Sequence, residues 1–174
     1  FGARVILVSG PTNLDAYNPG IERIGVLEAE EMFKHCMDLF PQCDIAVMTA
    51  AVADYTPSEK SESKIKKKDD KMSLSLKPTK DIIASMGKAK KKGQFLAGFA
   101  LETDNEIENA KSKLKNKNLD MIVLNSLNDP GSGFQHDTNK VTIIERDGNI
   151  TEYPQKLKKE VASDIVDKIK KITG

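Results

Sequence analysis

The sequence predicts an α/β fold, in which helices cover a mostly parallel sheet. Short apolar runs of strand length alternate along the chain with stretches whose apolar residues recur at helical spacing. Several of these runs are apolar throughout, which is typical of strands buried on both faces of a sheet. The chain has 174 residues, of which 39% are hydrophobic and 30% charged, so it can bury a core and has an ordinary globular composition.

The first half of the chain predicts two main strands separated by a helix. Val5–Val8 is a β-branched run that stops at Gly10-Pro11, and the next residues are rich in Pro, Asn and Gly, as loops are. The elements predicted in this half are a strand at Val5–Val8, a short extended piece at Arg23–Val26, a helix from Glu28 to Phe40 and a strand at Ile45–Met48.

A polar segment then interrupts the alternation of strands and helices. Residues 56–71 consist mainly of Ser, Glu, Lys and Asp, and after them Met72, Leu74 and Leu76 alternate with polar residues. Such alternation is typical of a half-buried strand, and Pro78 is expected to end it. We therefore predict a lysine-rich, flexible arm at about 56–77, whose second limb is a strand.

The second half predicts two helices, two strands, a hairpin and a closing helix. Thr79 can cap the first helix, and Thr103 with Glu106 fits a capping box at the start of the second. The predicted elements are a helix carrying Ile82, Ile83, Met86 and Ala89, a strand at Phe95–Ala100, a helix from Thr103 to Lys117, a strand at Met121–Leu124, a hairpin of Lys140–Arg146 with Ile150–Tyr153, and a helix at Leu157–Ile172. This order predicts one domain over residues 1–174, a Rossmann-like three-layer sandwich with a C-terminal antiparallel hairpin.

Polar residues follow three of the predicted strands, at Thr49–Tyr55, Phe99–Thr103 and Asn125-Ser126. Because ligands of such sheets bind outside the carboxyl ends of the strands, these stretches are the candidate sites. Asp54 could take ribose hydroxyls or orient a metal-bound phosphate, or it could simply close a turn. The basic run Lys64–Lys68 could neutralise a triphosphate, or it could be a solvated loop.

Two more features allow both a functional and a structural interpretation. Lys113 and Lys117 stand four residues apart on a predicted helix and share a face, which could be solvated surface or part of an anion site. Phe99, where a strand meets its loop, could pack in the core or stack on a base. Residue types and spacing alone leave both alternatives open.

Composition and motifs argue against several classes of function. Lys+Arg of 27 against Asp+Glu of 26 gives a net charge of +1, without the basic excess of a nucleic-acid binder. Glycine fingerprints of dinucleotide or P-loop sites do not occur, and His35 and His136 lack metal-ligand spacing. Cys36 and Cys43 are expected to be reduced thiols, and no apolar run approaches the length of a membrane span. We expect a cytoplasmic protein that contacts neither nucleic acid nor membrane.

Four motifs in order carry a resemblance to a known family. They are Ala50-Ala51-Val52-Ala53-Asp54-Tyr55, Lys64-Ile65-Lys66-Lys67, Gly98-Phe99-Ala100-Leu101-Glu102-Thr103 and Lys117-Asn118-Leu119-Asp120. Together they resemble the phosphopantothenoylcysteine synthetase family, the ligase half of the bacterial bifunctional coenzyme A biosynthesis proteins (the Dfp family). The resemblance implies a CTP-dependent ligase that joins 4'-phosphopantothenate to cysteine. It further implies an acyl-cytidylate intermediate, release of pyrophosphate with Mg²⁺, and a homodimer, with part of the contact expected in the hairpin at 140–153.

The resemblance also implies roles for individual residues. Lys64 would meet the triphosphate and support turnover, Asp54 would contact the nucleotide, and Phe99 would lie along the cytosine. The remaining implied contacts are Met48, Thr49 and Ala50 in the cytidine pocket, Lys80, Asp81, Ile82 and Ile83 at a helix start, and Lys113 and Lys117 at the phosphates or the base. The resemblance leaves the metal ligands unassigned.

One family segment has no counterpart in this sequence. The family carries an Asn-x-Ser-Ser-Gly-Lys-Met-Gly segment that handles the acyl-cytidylate and the phosphopantothenate, whereas this sequence begins at what would be the family's second strand. We therefore expect an N-terminally incomplete domain, with a flavin-dependent decarboxylase domain as a possible upstream fusion and no FMN in this domain. The alternatives are a catalytically incomplete module for CTP binding and dimerisation, and a NAD(P)-linked Rossmann oxidoreductase.

Overall fold

The computed structural model describes residues 2–14, 18–59, 61, 63–65, 72–126 and 137–174. Two units divide the chain: the first comprises Phe1–Asp38 and Ala50–Ile82, and the second Leu39–Thr49 and Ile83–Gly174. The second unit is thus interrupted in sequence by a segment of the first. The prediction of one nucleotide-binding domain over 1–174 stays a prediction.

Short strands and four α-helices make up the described part of the chain. In order they are β1 (Val5–Ser9), β2 (Ile21–Gly25), α1 (Ala29–Leu39), a 3₁₀ turn (Phe40–Gln42), β3 (Ile45–Met48), β4 (Tyr55–Pro57), β5 (Leu76–Pro78), α2 (Ile82–Ala89), β6 (Phe95–Glu102), α3 (Glu106–Asn116), β7 (Met121–Ser126), β8 (Thr138–Asn139), β9 (Val141–Glu145), β10 (Ile150–Glu152), β11 (Lys156–Leu157) and α4 (Lys158–Thr173).

A mixed five-stranded sheet forms the centre of the second unit, with the order β10-β9-β7-β6-β3. Strands β3, β6 and β7 are parallel, whereas β9 runs antiparallel to β7 and β10 antiparallel to β9. Gly148, with a φ of 94°, turns the chain between β9 and β10, since glycine adopts positive φ without steric cost. The predicted α/β class is confirmed, and the parallel part of the sheet is limited to three of its five strands.

Helices of the second unit lie on both faces of this sheet. On one face α4 packs Val161, Ile165 and Ile169 against a buried cluster that includes Phe95 and Met121. On the other face Gly98 lies against Ile83 of α2 and against Leu119, since a Cβ at Gly98 would come within 2.6 Å and 3.1 Å of their methyl carbons. Alternate residues of β6 therefore face different helices, as the period of a strand requires.

Gly87 lets α2 approach the C-terminal end of α3. A Cβ at this position would lie 1.9 Å from the backbone oxygen of Lys117. Asn118 reinforces the contact, because its Nδ2 donates a hydrogen bond of 2.8 Å to the carbonyl of Gly87.

We predict that Gly87→Ala lowers the free energy of unfolding by about 1–3 kcal/mol, because the clash is with backbone and exceeds the gain in helix propensity. Urea unfolding of the two proteins measures the difference. Gly10→Ala is the control, since nothing lies within 4 Å of a Cβ there. A Gly87→Ala protein as stable as the wild type would contradict this packing.

Asp120 joins three structural elements at the amino end of the parallel strands. Its carboxylate accepts hydrogen bonds from Lys90 Nζ at 2.8 and 2.7 Å and from the backbone N–H of Leu96 at 2.8 Å. Arg146 at the end of β9 forms a longer ion pair with it, at 3.3 Å. The side chains of Lys90 and Asp120 are only 8% and 20% exposed, so this is a largely desolvated pair.

The first unit contains two separate pairs of strands. Strands β1 and β2 pair in parallel, and β4 pairs antiparallel with β5. The β4–β5 ladder joins the two ends of the predicted arm, because Pro57 pairs with Leu76. The prediction of a half-buried strand at the end of the arm is wrong in two respects. Met72 and Leu74 lie outside any strand and are exposed, and Pro78 belongs to the ladder, on an edge strand where its missing N–H is tolerated.

Both predicted threonine caps are also wrong. Thr79 instead donates its hydroxyl to the carbonyl of Ala53 at 2.7 Å, and α2 begins only at Ile82. Thr103 lies too early, because β6 continues through Glu102, and the N-cap of α3 is Asn105 in a left-handed conformation with a φ of 45° and no side-chain cap bond. Strand pairing and contacts distant in sequence thus decided where these helices begin.

Two expectations about the whole chain can be compared with its described part. None of the helices in this part is long and apolar enough to cross a membrane. Cys36 and Cys43 are free thiols, the first buried and the second half-buried.

Candidate functional site

The carboxyl ends of β3, β6 and β7 lie at one edge of the five-stranded sheet. Met48 is opposite Gly98 in the parallel ladder, and Glu102 is opposite Ser126. Met48 is half-buried, and Thr49, which follows the last residue of β3, is exposed. The edge that the sequence predicts for ligand binding therefore exists within the second unit, with β6 as its middle strand.

Ile83 and Phe99 are two predicted contacts whose side chains have packing roles. Ile83 is half-buried against Gly98, on the helix face of α2. Phe99 is partly buried and packs against the cluster beneath α4, so its ring occupies the position that core packing predicts. Its contact with cytosine stays a prediction. From this position, the exposed part of the ring or the backbone of Phe99 would have to make that contact.

Lys113 is tied to a carboxylate that the sequence did not single out. Its ammonium lies 2.5 Å from Oε1 of Glu102, the last residue of β6. The side chain of Glu102 is 12% exposed and that of Lys113 is 45% exposed. The ammonium of Lys113 is therefore held at the end of β6 by a carboxylate that is largely shielded from water.

Lys117 lies at the C-cap of α3, one turn beyond Lys113. Its backbone N–H donates to the carbonyl of Lys113 at 3.0 Å, and its own carbonyl lies against Gly87. The residue is half-buried. Lys113 lies within α3, whereas Lys117 follows its last residue, Asn116. Lys117 lies nearer the amino end of the strands because α3 leads the chain back from β6 to the start of β7.

In the first unit, Asp54 lies beside the start of the segment that leads into α2. Its backbone carbonyl accepts the N–H of Thr79 at 2.9 Å, next to the bond from the Thr79 hydroxyl to Ala53. The residue itself is exposed, and within the described part of the chain its carboxylate accepts no hydrogen bond. Asp54 is thus bonded to the residue that precedes Lys80 in the chain, and the contacts of both residues with a nucleotide stay predictions.

The other predicted residues of the first unit differ in exposure. Lys80 forms an ion pair of 2.6 Å with Glu30, and its ammonium lies 4.6 Å above the ring of Phe33. Ile82 is buried, whereas Ala50, Lys64 and Asp81 are exposed. Lys66, Lys67 and Lys68 of the predicted basic run lie outside the described residues.

The polar partners at the carboxyl edge are not predicted from the sequence. Glu102 belongs to one of the family motifs, and an acid at the end of an apolar strand is the signal that could indicate its ion pair. Asn125 also has a partner, because Asn139 Nδ2 donates to its Oδ1 at 2.9 Å. Asn139 is the only residue among the described ones that is classed as a buried polar residue, and its own Oδ1 makes no hydrogen bond.

The donor set allows only a limited metal site. In the part of the chain that the structure describes, no group of three His, Cys, Asp or Glu side chains could hold an ion. Mg²⁺ commonly binds through one or two carboxylates together with the phosphates of a substrate. An exposed carboxylate such as Asp54 fits that mode, whereas Glu102 is already paired with a lysine.

Comparisons with known proteins agree with the resemblance. The model of the DNA/pantothenate metabolism flavoprotein C-terminal domain matches residues 1–173. The chain is 45% identical over 168 residues to the coenzyme A biosynthesis bifunctional protein CoaBC of Bacillus subtilis, covering 97% of this chain and 41% of that protein. It is 55% identical over 168 residues to a cysteine/cysteine sulfinic acid decarboxylase of an unknown prokaryotic organism, covering 97% of this chain and 47% of that protein. The chain thus spans less than half the length of these relatives.

Solved structures give the same result at the level of the fold. The C-terminal domain of a CoaBC protein superposes with a TM-score of 0.81 at 36% identity, covering 98% of this chain and 75% of that one. A Cab2 mutant in complex with phosphopantothenate-cysteine superposes with a TM-score of 0.57 at 14% identity, covering 78% of this chain and 47% of that one, and supports the fold alone. The family predicted from the sequence motifs is confirmed.

Proposed function

Because the chain belongs to the DNA/pantothenate metabolism flavoprotein C-terminal domain family, we propose that it carries the nucleotide-binding part of a phosphopantothenate–cysteine ligase that uses CTP. The observation that carries this proposal is the similarity of nearly the whole chain to the C-terminal domain of CoaBC, at 36% identity and a TM-score of 0.81. The cation at the carboxyl end of β6 and the exposed carboxylate of Asp54 support it, because both suit a nucleotide.

The proposed reaction proceeds in two steps. A carboxylate oxygen of 4'-phosphopantothenate attacks the α-phosphorus of CTP, the bond to the β-phosphate breaks, and pyrophosphate leaves. The amine of cysteine then attacks the carbonyl carbon of the acyl-cytidylate, CMP leaves, and the amine loses a proton to give the amide. Both leaving groups are anions, so the main task of the protein is to place positive charge and N–H groups around them.

The resemblance assigns residues of this chain to that task. Lys64 would reach the triphosphate from the arm, and Lys113 would meet it or the base from α3. Lys80 would do so from the segment before α2, where it would have to share its charge with Glu30. Mg²⁺ supplies further neutralisation of the phosphates when bound, and Asp54 is the residue proposed to hold it. Closure of the arm would exclude water from the acyl-cytidylate, which is prone to hydrolysis.

We predict pyrophosphate release from CTP, and much less from ATP or GTP, when the protein at its native length is supplied with 4'-phosphopantothenate and Mg²⁺. Adding cysteine should release CMP from the acyl-cytidylate, in an amount equal to the pyrophosphate, and yield phosphopantothenoylcysteine, detected by mass spectrometry. CTP binding in the calorimeter without pyrophosphate release would instead support the alternative of an incomplete module for CTP binding and dimerisation. Equal release from all three nucleotides would refute the assignment to CTP.

The 55% identity to a protein named as a decarboxylase gives a second candidate, decarboxylation of cysteine or cysteine sulfinic acid. The same preparation tests it through CO₂ release from either amino acid with no nucleotide present. CO₂ release that does not depend on CTP would assign this chain to a protein of that activity. The ligase proposal expects no such release from this domain.

We also propose that the protein acts in the cytoplasm as a homodimer, with the β9–β10 hairpin in the contact. Strand β10 lies at the end of the five-stranded sheet and leaves Ile150 exposed, which supports this assignment. Light scattering on the eluting protein would give the mass of two chains if the proposal is right.

A further inference from the structure

We infer that Glu102 is a positioning residue, which holds the ammonium of Lys113 at the carboxyl edge of the sheet for a negatively charged or hydrogen-bond-accepting group of the nucleotide. This inference rests on the proposed function, since it deepens the role of Lys113 in nucleotide binding. The juxtaposition that carries it is a carboxylate at the end of β6, only 12% exposed, bonded to a half-exposed lysine on α3.

The fold fixes the position of Glu102. Its backbone pairs with Ser126 in the parallel ladder, so the end of β6 is part of the sheet and not of the following loop. Its side chain shares the face of Gly98, over which α2 and α3 lie, because residues two apart on a strand point the same way. At 12% exposure the carboxylate is largely removed from water, and a buried carboxylate needs a cation or hydrogen-bond donors close to it.

Two side chains of α3 orient this carboxylate. Lys113 Nζ lies 2.5 Å from Oε1, and Asn109 Nδ2 approaches Oε2 at a longer 3.5 Å. Asn109 is itself held, because its Nδ2 also donates to the carbonyl of Asp104 at 2.8 Å. These contacts fix the orientation of the Glu102 carboxylate, and the carboxylate in turn fixes the position of the Lys113 ammonium.

The lysine remains available to a ligand. Its side chain is 45% exposed, and an ammonium has three N–H donors, of which Glu102 takes one. A free lysine side chain loses much rotamer freedom when it binds a ligand, whereas Lys113 has already lost it in the ion pair. The pair thus presents donors in a fixed position before the nucleotide arrives, which is the arrangement that gives binding sites their affinity.

A second ion pair on α3 differs in exposure from the pair of Glu102 and Lys113. Lys111 and Glu108 lie 2.9 Å apart, but both are well exposed and are three residues apart on one helix. Such an exposed pair restricts the motion of its two side chains little, and solvent screens the attraction between their charges. The pair with Glu102, in contrast, connects α3 to the end of β6.

The test compares Glu102→Gln with the wild type at native length, in the CTP-dependent release of pyrophosphate. We expect KM for CTP to rise roughly 10-fold with a smaller change in kcat. The reason is that the variant weakens a contact between Lys113 and the nucleotide that is made in both the ground state and the transition state. The matched control is Glu108→Gln, which removes the same charge from the exposed pair and should leave KM unchanged.

A double-mutant cycle separates positioning from a structural role. If Glu102 acts through Lys113, then Glu102→Gln should have no further effect on KM once Lys113→Ala is present. Additive effects of the two changes would overturn the inference, and so would an unchanged KM in Glu102→Gln alone. Circular dichroism at the assay temperature verifies that each variant is folded.

A replacement variant covers the case in which Glu102→Gln does not fold. Glu102→Asp keeps the charge but withdraws it by one methylene, so KM should again rise and the rise should again vanish in Lys113→Ala. No rise in KM for Glu102→Asp would overturn the inference. A wild-type protein that neither binds nor cleaves CTP would overturn the proposed function and this inference together, whereas an active wild type with normal Glu102 variants would overturn the inference alone.

Discussion

Replacing Asp120 with alanine is expected to lower the free energy of unfolding by about 3–5 kcal/mol, since one member of a buried ion pair is removed. Lys90, only 8% exposed, would keep its charge without the carboxylate that bonds it at 2.7 Å. The N–H of Leu96, a residue with 0% exposure, would lose its acceptor at the same time. An unmet charge and an unmet donor in one place account for the size of the effect.

Urea unfolding followed by circular dichroism measures this loss. Asp167→Ala is the control, because its pair with Lys170 is exposed and 3.7 Å long, and a change of about 0.5 kcal/mol or less is expected there. Adding Lys90→Met to Asp120→Ala should restore part of the stability, since it removes the unpaired charge. A loss of less than about 1 kcal/mol in Asp120→Ala would mean that the pair is better hydrated than its burial indicates.

Lys64→Ala is expected to reduce CTP-dependent ligation by roughly 10²–10³-fold while leaving the thermal unfolding midpoint unchanged. The activity should fall because a donor aimed at developing negative charge is lost as pyrophosphate leaves. The stability should be unchanged because Lys64 is exposed and belongs to none of the helices and strands that the structure describes. Initial rates of product formation and a melting curve on the same preparation give both quantities.

Lys77→Ala is the matched control for this variant. Lys77 is an exposed lysine of β5, at the base of the same arm, and no site role is assigned to it. It should retain the wild-type rate. Product formation at the wild-type rate in Lys64→Ala would contradict the role proposed for Lys64. It would leave the proposed ligation of the protein as a whole unaffected.

The fold was predictable wherever a pattern is local. Apolar runs and helical spacing located β3, β6, β7 and all four helices, because burial on a given face leaves a period in the sequence. Boundaries were less predictable, because they depend on partners far away in the chain. Thr103 has the sequence of a cap, but pairing with Ser126 extends the strand to Glu102, and α3 begins only after Asn105.

The residues of the candidate site are indicated by the motifs, whereas their contacts could not be predicted from the sequence. Motifs placed lysines and Asp54 at strand ends, yet spacing cannot say that Lys113 bonds Glu102 or that Lys80 bonds Glu30. Side chains alternate between the two faces of a sheet along a strand, so the sequence predicts which side chains of β6 share a face. Phe99 and Glu102 accordingly face opposite layers of helices. Which partner lies on that side follows only from the assembled fold.

The interruption of the second unit by a segment of the first has a consequence for the protein while it is being synthesised. Strand β3 pairs with β6 through Ile45 and Phe95, which are 95 − 45 = 50 residues apart. At about 5–20 residues per second, the ribosome delivers β6 about 2.5–10 seconds after β3. During that interval β3 has no partner strand, and Ile45 and Val47, which stay exposed even in the finished fold, lie on an open edge. Nascent chains are therefore most prone to associate with one another in the window between the two strands.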